Sequence, residues 1–252
     1  MREVFTILIL LLGLYTPAQT TLHTTQLCQH SSNIAAYKVL TEHSFIQCGY
    51  RANFCTKELM DKNLNIGILK GNNAFTCHLS HCGHTLFGEL DLQVGYARCF
   101  GDKLAIALQG IYLMQHATHY ESQHSFTVDF SIAYQISRYL LIAIDLYNPI
   151  RMKYGITGKE IIPMSFYVEV NYQRNEKLSA TLFCQKTLPG HIDIGLALGY
   201  QPTLSLIVSG NCTLHKCGIG VHIPWKKLMF SIQCDWHYRI SFSPESNILF
   251  VL

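Results

Sequence analysis

Between Phe126 and Ile136 the chain reads FTVDFSIAYQI, in which Phe126, Val128, Phe130, Ile132, Tyr134 and Ile136 alternate with Thr127, Asp129, Ser131, Ala133 and Gln135. Period two over such a length predicts a strand with one apolar and one polar face. At ~3.3 Å per residue it spans a tilted apolar band ~25 Å tall. The pattern recurs at Leu92 to Ala97, Leu104 to Gln109, Met164 to Tyr172, Ile192 to Tyr200 and Leu228 to Tyr238. About fourteen strands are predicted, near 43–50, 63–70, 73–81, 85–98, 103–116, 124–137, 139–148, 163–173, 177–186, 191–200, 203–210, 212–222, 226–239 and 245–252.

The polar face separates two all-β architectures. In a soluble sandwich the second face meets water and is rich in Lys, Glu and Arg. Here that face is mostly Ser, Thr, Gly, Ala, Gln and Asn with a few Asp and Glu. Small and polar residues of this kind suit the lumen of a narrow barrel, and Tyr96, Tyr134, Tyr172, Tyr200, Trp225, Trp236 and Tyr238 near strand ends suit interfacial girdles. The links are also asymmetric. KGNN, FGDK, ISR, QRNEK, QP and PWKK are tight, whereas 51–62, 117–123, 149–161 and 239–246 are longer. The expected fold is a transmembrane antiparallel β-barrel of about 14 strands (12–14, because the 210–212 link breaks the rule).

Composition narrows the class. Of 252 residues 14% are charged and 12% aromatic, with a formal charge of +3 and a mean hydropathy of +0.16. So small a basic excess argues against a nucleic-acid partner. The first residues, MREVFTILILLLGLYTPAQT, combine Arg2, an apolar run from Val4 to Tyr15 and small residues Thr16 and Ala18. They are expected to be a cleaved secretory signal peptide over 1–18. Residues 19–42 then form an N-terminal periplasmic or lumenal segment, and 43–252 the barrel, which places the protein in a bacterial outer membrane with lipid as its first partner.

Candidate chemistry is sparse. FTCHLSHCGH, residues 75–84, has the composition of a metal site, but on a strand His78 and Cys82 lie ~13 Å apart, too far to share one zinc. Only His81, Cys82 and His84, at the strand end, remain as a candidate set. HATHYESQH supplies His116, His119 and Glu121 as a second, in an expected external loop. A structural rim or loop role is the expectation for both, with no cofactor. His124 and Ser125 face opposite ways on a strand and cannot form a hydrolase dyad, so no enzyme is expected. The polar residues expected to face the lumen are Asp129, Asp145, Glu169, Asp193, Asp235 and His237. Pairing with internal Arg or Lys is their expected role, with lining of a passage as the alternative.

Ten cysteines in an exported chain raise the alternative of a disulfide-stapled secreted β-domain. Cys77, Cys184, Cys217 and Cys234 fall on the apolar face, where Cys serves as a small hydrophobe. Cys28, Cys48, Cys55, Cys82, Cys99 and Cys212 sit at strand ends, with pairing left open.

The pieces KEL-x-DK, VGYAR-x-FGDKLAIALQ and YNPIR, within roughly 43 to 252, resemble the PorV/PorQ-like outer-membrane proteins of the Bacteroidetes, relatives of the FadL-type barrels. The resemblance implies a non-enzymatic barrel acting as a partner in surface protein export of the type IX kind, with secretion subunits or exported cargo as partners. Its FadL side implies the alternative of a passive transporter of small hydrophobic molecules. Two departures stand out: the family's opening Asn-Pro-Ala motif is absent from 19–42, and the chain ends ILFVL rather than on an aromatic. The two readings differ in structural signature. A transporter needs an apolar pocket in the lumen and an N-terminal plug; a partner-binding barrel shows a blocked lumen and apolar patches on its loops.

Overall fold

In the computed structural model, residues 35–40, 43–118, 121–154, 161–175 and 177–252 are described. The expected signal peptide, Cys28 and His119 lie outside these residues. A short helix, α1 (Ala35–Leu40), precedes fourteen antiparallel strands. They are β1 (Phe45–Ala52), β2 (Met60–Lys70), β3 (Asn73–Gly83), β4 (Phe87–Phe100), β5 (Leu104–Ala117), β6 (Gln123–Ser137) and β7 (Leu140–Tyr147). The second half is β8 (Met164–Asn175), β9 (Leu178–Leu188), β10 (Ile192–Thr203), β11 (Leu206–Thr213), β12 (Lys216–Trp225), β13 (Leu228–His237) and β14 (Phe242–Val251). Each strand pairs with its sequence neighbours, and β1 pairs with β14, from Phe45 opposite Val251 to Arg51 opposite Glu245, so the sheet closes on itself.

The period-two pattern sorts side chains as the sequence implies. On β4, Val94 and Tyr96 are exposed while Gly95 and Ala97 are buried; on β10, Leu196 and Leu198 are exposed while Gly195, Ala197 and Gly199 are buried. Exposed apolar side chains on every face of a closed ring have one favourable solvent, the hydrocarbon of a bilayer. The outward aromatics form two belts. Tyr96, Tyr134, Tyr172, Tyr200 and Trp225 lie near the tight-turn end, and Tyr112, Phe126, Trp236, Tyr238 and Phe242 near the other. In outer-membrane barrels the tight-turn end faces the periplasm.

The link between β11 and β12 lies at Leu214–His215, not at 210–212. The stretch SGNCT has turn composition, yet Asn211 pairs with Gly218 and Cys212 with Cys217, so the ladder runs straight through it. Cross-strand pairing overrides local propensity here. The strand count is fourteen.

Substitution of an outward mid-strand residue tests the solvent assignment. Ile232 is 68% exposed on β13. Ile232→Arg in lipid vesicles is expected to lower unfolding stability by roughly 2–4 kcal/mol, read from urea titration. An unchanged midpoint would place this face in water.

Candidate functional site

Because the strands enclose a space, inward residues are the only set that can jointly contact a passing solute. They form three levels along the barrel axis. At the tight-turn end, Ala74, Ala97, Ala105, Ala107, Ala133 and Ala143 are buried against Ala35 and Ala36 of α1, with Leu141, Tyr167 and Phe183 in the same cluster. Methyl side chains leave room for a helix beside the barrel wall, which explains alanine at inward positions of β3 to β6. The helix packs on β3, β4, β5 and β6, and the Ala36 N–H donates to Ser131 Oγ at 3.2 Å. Across the lumen at the same end, Phe45, Ile207, Met229, Leu249 and Val251 form a second apolar cluster. Space for aromatic rings comes from glycine on the neighbouring strand: a Cβ at Gly67 would overlap the Phe45 ring, and one at Gly195 the Phe183 ring.

The middle level is polar. Thr76, Gln109, Asp129, Ser131, Glu169, Asn171, Thr181 and His222 are all buried there. Local bonds satisfy several of them: Gln109 Nε2 donates to Thr76 Oγ1 (3.4 Å), Asn171 Nδ2 to Thr181 Oγ1 (2.8 Å) and Tyr167 OH to Glu169 Oε2 (3.0 Å). The expected lumen-facing carboxylates Asp129, Asp145, Glu169 and Asp193 sit on the inner face of β6, β7, β8 and β10. Asp129 and Asp145 lie diagonally across β6 and β7, one pair out of step: Asp129 is opposite Tyr147 and Asp145 opposite Ser131.

Ion pairing, expected for this whole set, is concentrated elsewhere. Among the described residues, Asp235 Oδ2 contacts Arg51 Nη2 at 3.0 Å and Lys216 Nζ at 3.6 Å, and Arg51 Nη1 reaches Glu245 at 3.7 Å. Gln233 Nε2 adds a bond to Asp235 Oδ1 at 2.8 Å. This cluster ties β1, β12, β13 and β14 together near the loop end, and it includes Arg51 and Glu245, which the pattern of strands alone does not single out. Asp129, Asp145, Glu169 and Asp193 make no ion pair among the described residues. They are inner-face carboxylates with a different environment, so one expected role does not fit all six. His237 sits at the rim, where its Nδ1 accepts the Arg239 N–H at 3.4 Å and its ring meets Phe54 edge-on.

The loop-end level holds the feature least visible beforehand. Ile111 and Leu113 turn inward from β5 and pack with Ile162, flanked by Tyr147 and Tyr154. The link after β7, expected as one of the longer links over 149–161, is anchored back into the barrel mouth at both ends. Asn148, fully buried at φ 50°, is the anchor. Asparagine tolerates this left-handed backbone, and the turn it permits aims its amide into the loop. Its Oδ1 accepts from Thr127 Oγ1 (2.7 Å) and the Met152 N–H (2.9 Å), and its Nδ2 donates to the Ile162 carbonyl (2.8 Å). Ser125 Oγ donates to the Lys153 carbonyl at 2.9 Å, and Lys153 pairs with Ile161. A signal for this level was present in the sequence: at Ile111–Met114 apolar residues occupy both faces and the alternation fails.

The histidine set at the end of β3 does not assemble. On β3 the side chains of His81 and Cys82 point to opposite sides of the wall, and His84, beyond the strand, bonds Thr85 Oγ1 at 3.0 Å. His116 lies outward over Gly88, and Glu121 is exposed in the link before β6. Among the described residues no three His, Cys, Asp or Glu side chains converge as metal ligands. His78, on the inner face, bonds Asn65 Oδ1 at 2.6 Å.

Solved channels share this architecture. A TodX variant described as a monoaromatic hydrocarbon channel superposes with a TM-score of 0.66 at 7% identity, covering 88% of this chain and 92% of that one. The Pseudomonas putida toluene transporter TodX gives 0.63 at 7% identity, with 88% and 91% covered. The CymD monoaromatic hydrocarbon channel gives 0.57 at 8% identity, with 87% and 94% covered. At such identities the likeness establishes the fold. No family model matches the chain, and no curated protein matches its sequence. The PorV/PorQ resemblance thus gains no support, while a closed barrel with an apolar outer belt and this set of neighbours is an outer-membrane protein.

Removing the Asn148 amide leaves the Ile162 carbonyl, Thr127 hydroxyl and Met152 N–H without their partner. Asn148→Ala is expected to cost about 1–3 kcal/mol and to expose the 149–161 link to limited proteolysis at rates well above the parent. Asn148→Gly, which keeps the backbone angle, should be cut just as fast; wild-type resistance in the Gly variant would assign the anchoring to backbone conformation alone.

Proposed function

We propose that this protein is a non-enzymatic outer-membrane channel that passes small hydrophobic molecules through its lumen. The observation that carries the reading is the internal one: α1 plugs the tight-turn end among inward alanines, while an apolar cluster of Ile111, Leu113, Ile162, Tyr147 and Tyr154 lines the loop end. Apolar side chains inside the mouth and an N-terminal plug are what a conduit for hydrophobic solutes requires, because the solute needs a surface that competes with lipid and a barrier that stops free leakage of water. The neighbours support it: the TodX and CymD channels are described as handling monoaromatic hydrocarbons or toluene, and their fold is this one.

In this reading the solute enters at the loop end, where Leu86, Ile150, Ile161 and Ile240 present apolar surface at the rim. It rests against Ile111 and Leu113 and leaves past α1. Asp129, Asp145, Glu169, Asp193, Asp235 and His237 line or brace the passage, their polarity keeping the wall hydrated once the solute has moved on. The rim residues are also what an export partner would grip, but nothing else favours the secretion role.

Reconstituted into vesicles, the protein is expected to speed the uptake of a small aromatic hydrocarbon over protein-free vesicles, and to leave a neutral polar sugar of similar size excluded. Ile111→Asp places a charge in the apolar cluster and should reduce hydrocarbon uptake by about tenfold, the equivalent of ~1.4 kcal/mol. Uptake equal to that of empty vesicles, with a correctly folded barrel, would overturn the proposal.

A further inference from the structure

Cysteine placement on the outer wall carries an inference independent of transport. Cys48 faces Ile248 and Leu64, Cys77 faces Ile66 and Val94, Cys184 faces Ile194 and Val168, and Cys234 faces Ile219 and Pro244. Cys212 and Cys217 differ: they lie directly opposite one another, on β11 and β12. Among the described residues no other cysteine has a cysteine as its cross-strand partner.

Directly opposed residues of an antiparallel pair have Cα atoms ~4.5 or ~5.5 Å apart, depending on the type of pair. Both values fall in the ~4.4–6.8 Å range that a disulfide spans. The side chains are already turned together. Both sulfurs approach the Tyr238 hydroxyl, Cys217 Sγ at 2.9 Å and Cys212 Sγ at 3.6 Å. The pair sits at the loop end of the barrel, one residue from the Thr213–Lys216 turn. This is the side that meets the exterior, and proteins of the cell envelope mature under oxidising conditions.

We propose that Cys212 and Cys217 form a disulfide that staples the outer end of the β11–β12 hairpin. The bond arises by thiol–disulfide exchange with a protein disulfide of an oxidoreductase: a Cys thiolate attacks that disulfide, the second Cys resolves the mixed intermediate, and the donor leaves as a dithiol. Two protons and two electrons pass from the pair to the donor, and one S–S bond is broken for the one formed. Oxidation withdraws both sulfurs from the Tyr238 hydroxyl and fixes the rim where Trp236, Tyr238 and Phe242 cluster. The other outward cysteines have no partner within the ladder and stay as thiols.

The chain itself provides a readout, since trypsin cleaves after Lys216 and puts the two cysteines on separate peptides. Protein isolated from outer membranes, alkylated before any reductant and digested, is expected to yield a reductant-sensitive linked pair of the Cys212 and Cys217 peptides, while Cys184 and Cys234 carry the alkyl group once unfolded. In Cys212→Ser, Cys217 should become fully alkylated under the same unfolding conditions. Quantitative alkylation of both cysteines in the wild-type chain without reductant, or linkage of either to another cysteine, overturns the proposal.

Discussion

In hydrocarbon, a backbone N–H or C=O without a partner costs several kcal/mol, because no water is present to replace it. Every feature of this chain follows from meeting that requirement with strands. A sheet satisfies its interior strands automatically and leaves its two edges exposed, so the first and last strands must find each other. Here β1 and β14 do so over seven paired positions, from Phe45 with Val251 to Arg51 with Glu245. The same seam carries the Arg51–Glu245 contact, and Asp235 on the adjacent strand draws Arg51 and Lys216 into one cluster. Buried ion pairs are weak contributors to net stability. Their value here is to specify which inner faces meet at the closing seam.

Closure creates an interior that has to be filled or solvated, and the chain treats its levels differently. The tight-turn end is filled by hydrocarbon: alanines against α1 on one side and Phe45, Ile207, Met229, Leu249 and Val251 on the other. The middle is built from short polar side chains that bond within the wall. At the loop end a segment of the chain itself, held by Asn148, brings Ile162 onto Ile111 and Leu113. The lumen is thus apolar at both ends and polar between them, with α1 at one end and the Asn148-anchored link at the other.

The strand architecture was legible because its cause is periodic and local. Phe126 to Ile136 alternates without interruption, and each of those residues faces as its parity implies, apolar outward and Thr127, Asp129, Ser131 and Ala133 inward. Strand ends were less legible. The final strand runs from Phe242 rather than from 245, and Asn211 and Cys212 belong to β11 although their composition reads as a turn. Ends are decided by whether the facing strand continues the ladder, and a single strand carries no record of its neighbour's length. The histidine-rich stretches show the converse: residue types crowded in sequence were sent to opposite sides of the wall by the very alternation that defined the fold.

By itself, then, the order of residues determined that this chain makes strands, which face of each is apolar, and that such strands belong in a membrane, since these depend on contacts between each side chain and its solvent. It did not determine that alanines on four strands share one helix, that Asp235 meets an arginine 184 positions away, or that Asn148 turns the following link back into the mouth. Those are meetings between inward residues across a closed ring. Parity tells which residues point inward, but only the completed ring, with its register and its enclosed width, brings particular ones within bonding distance.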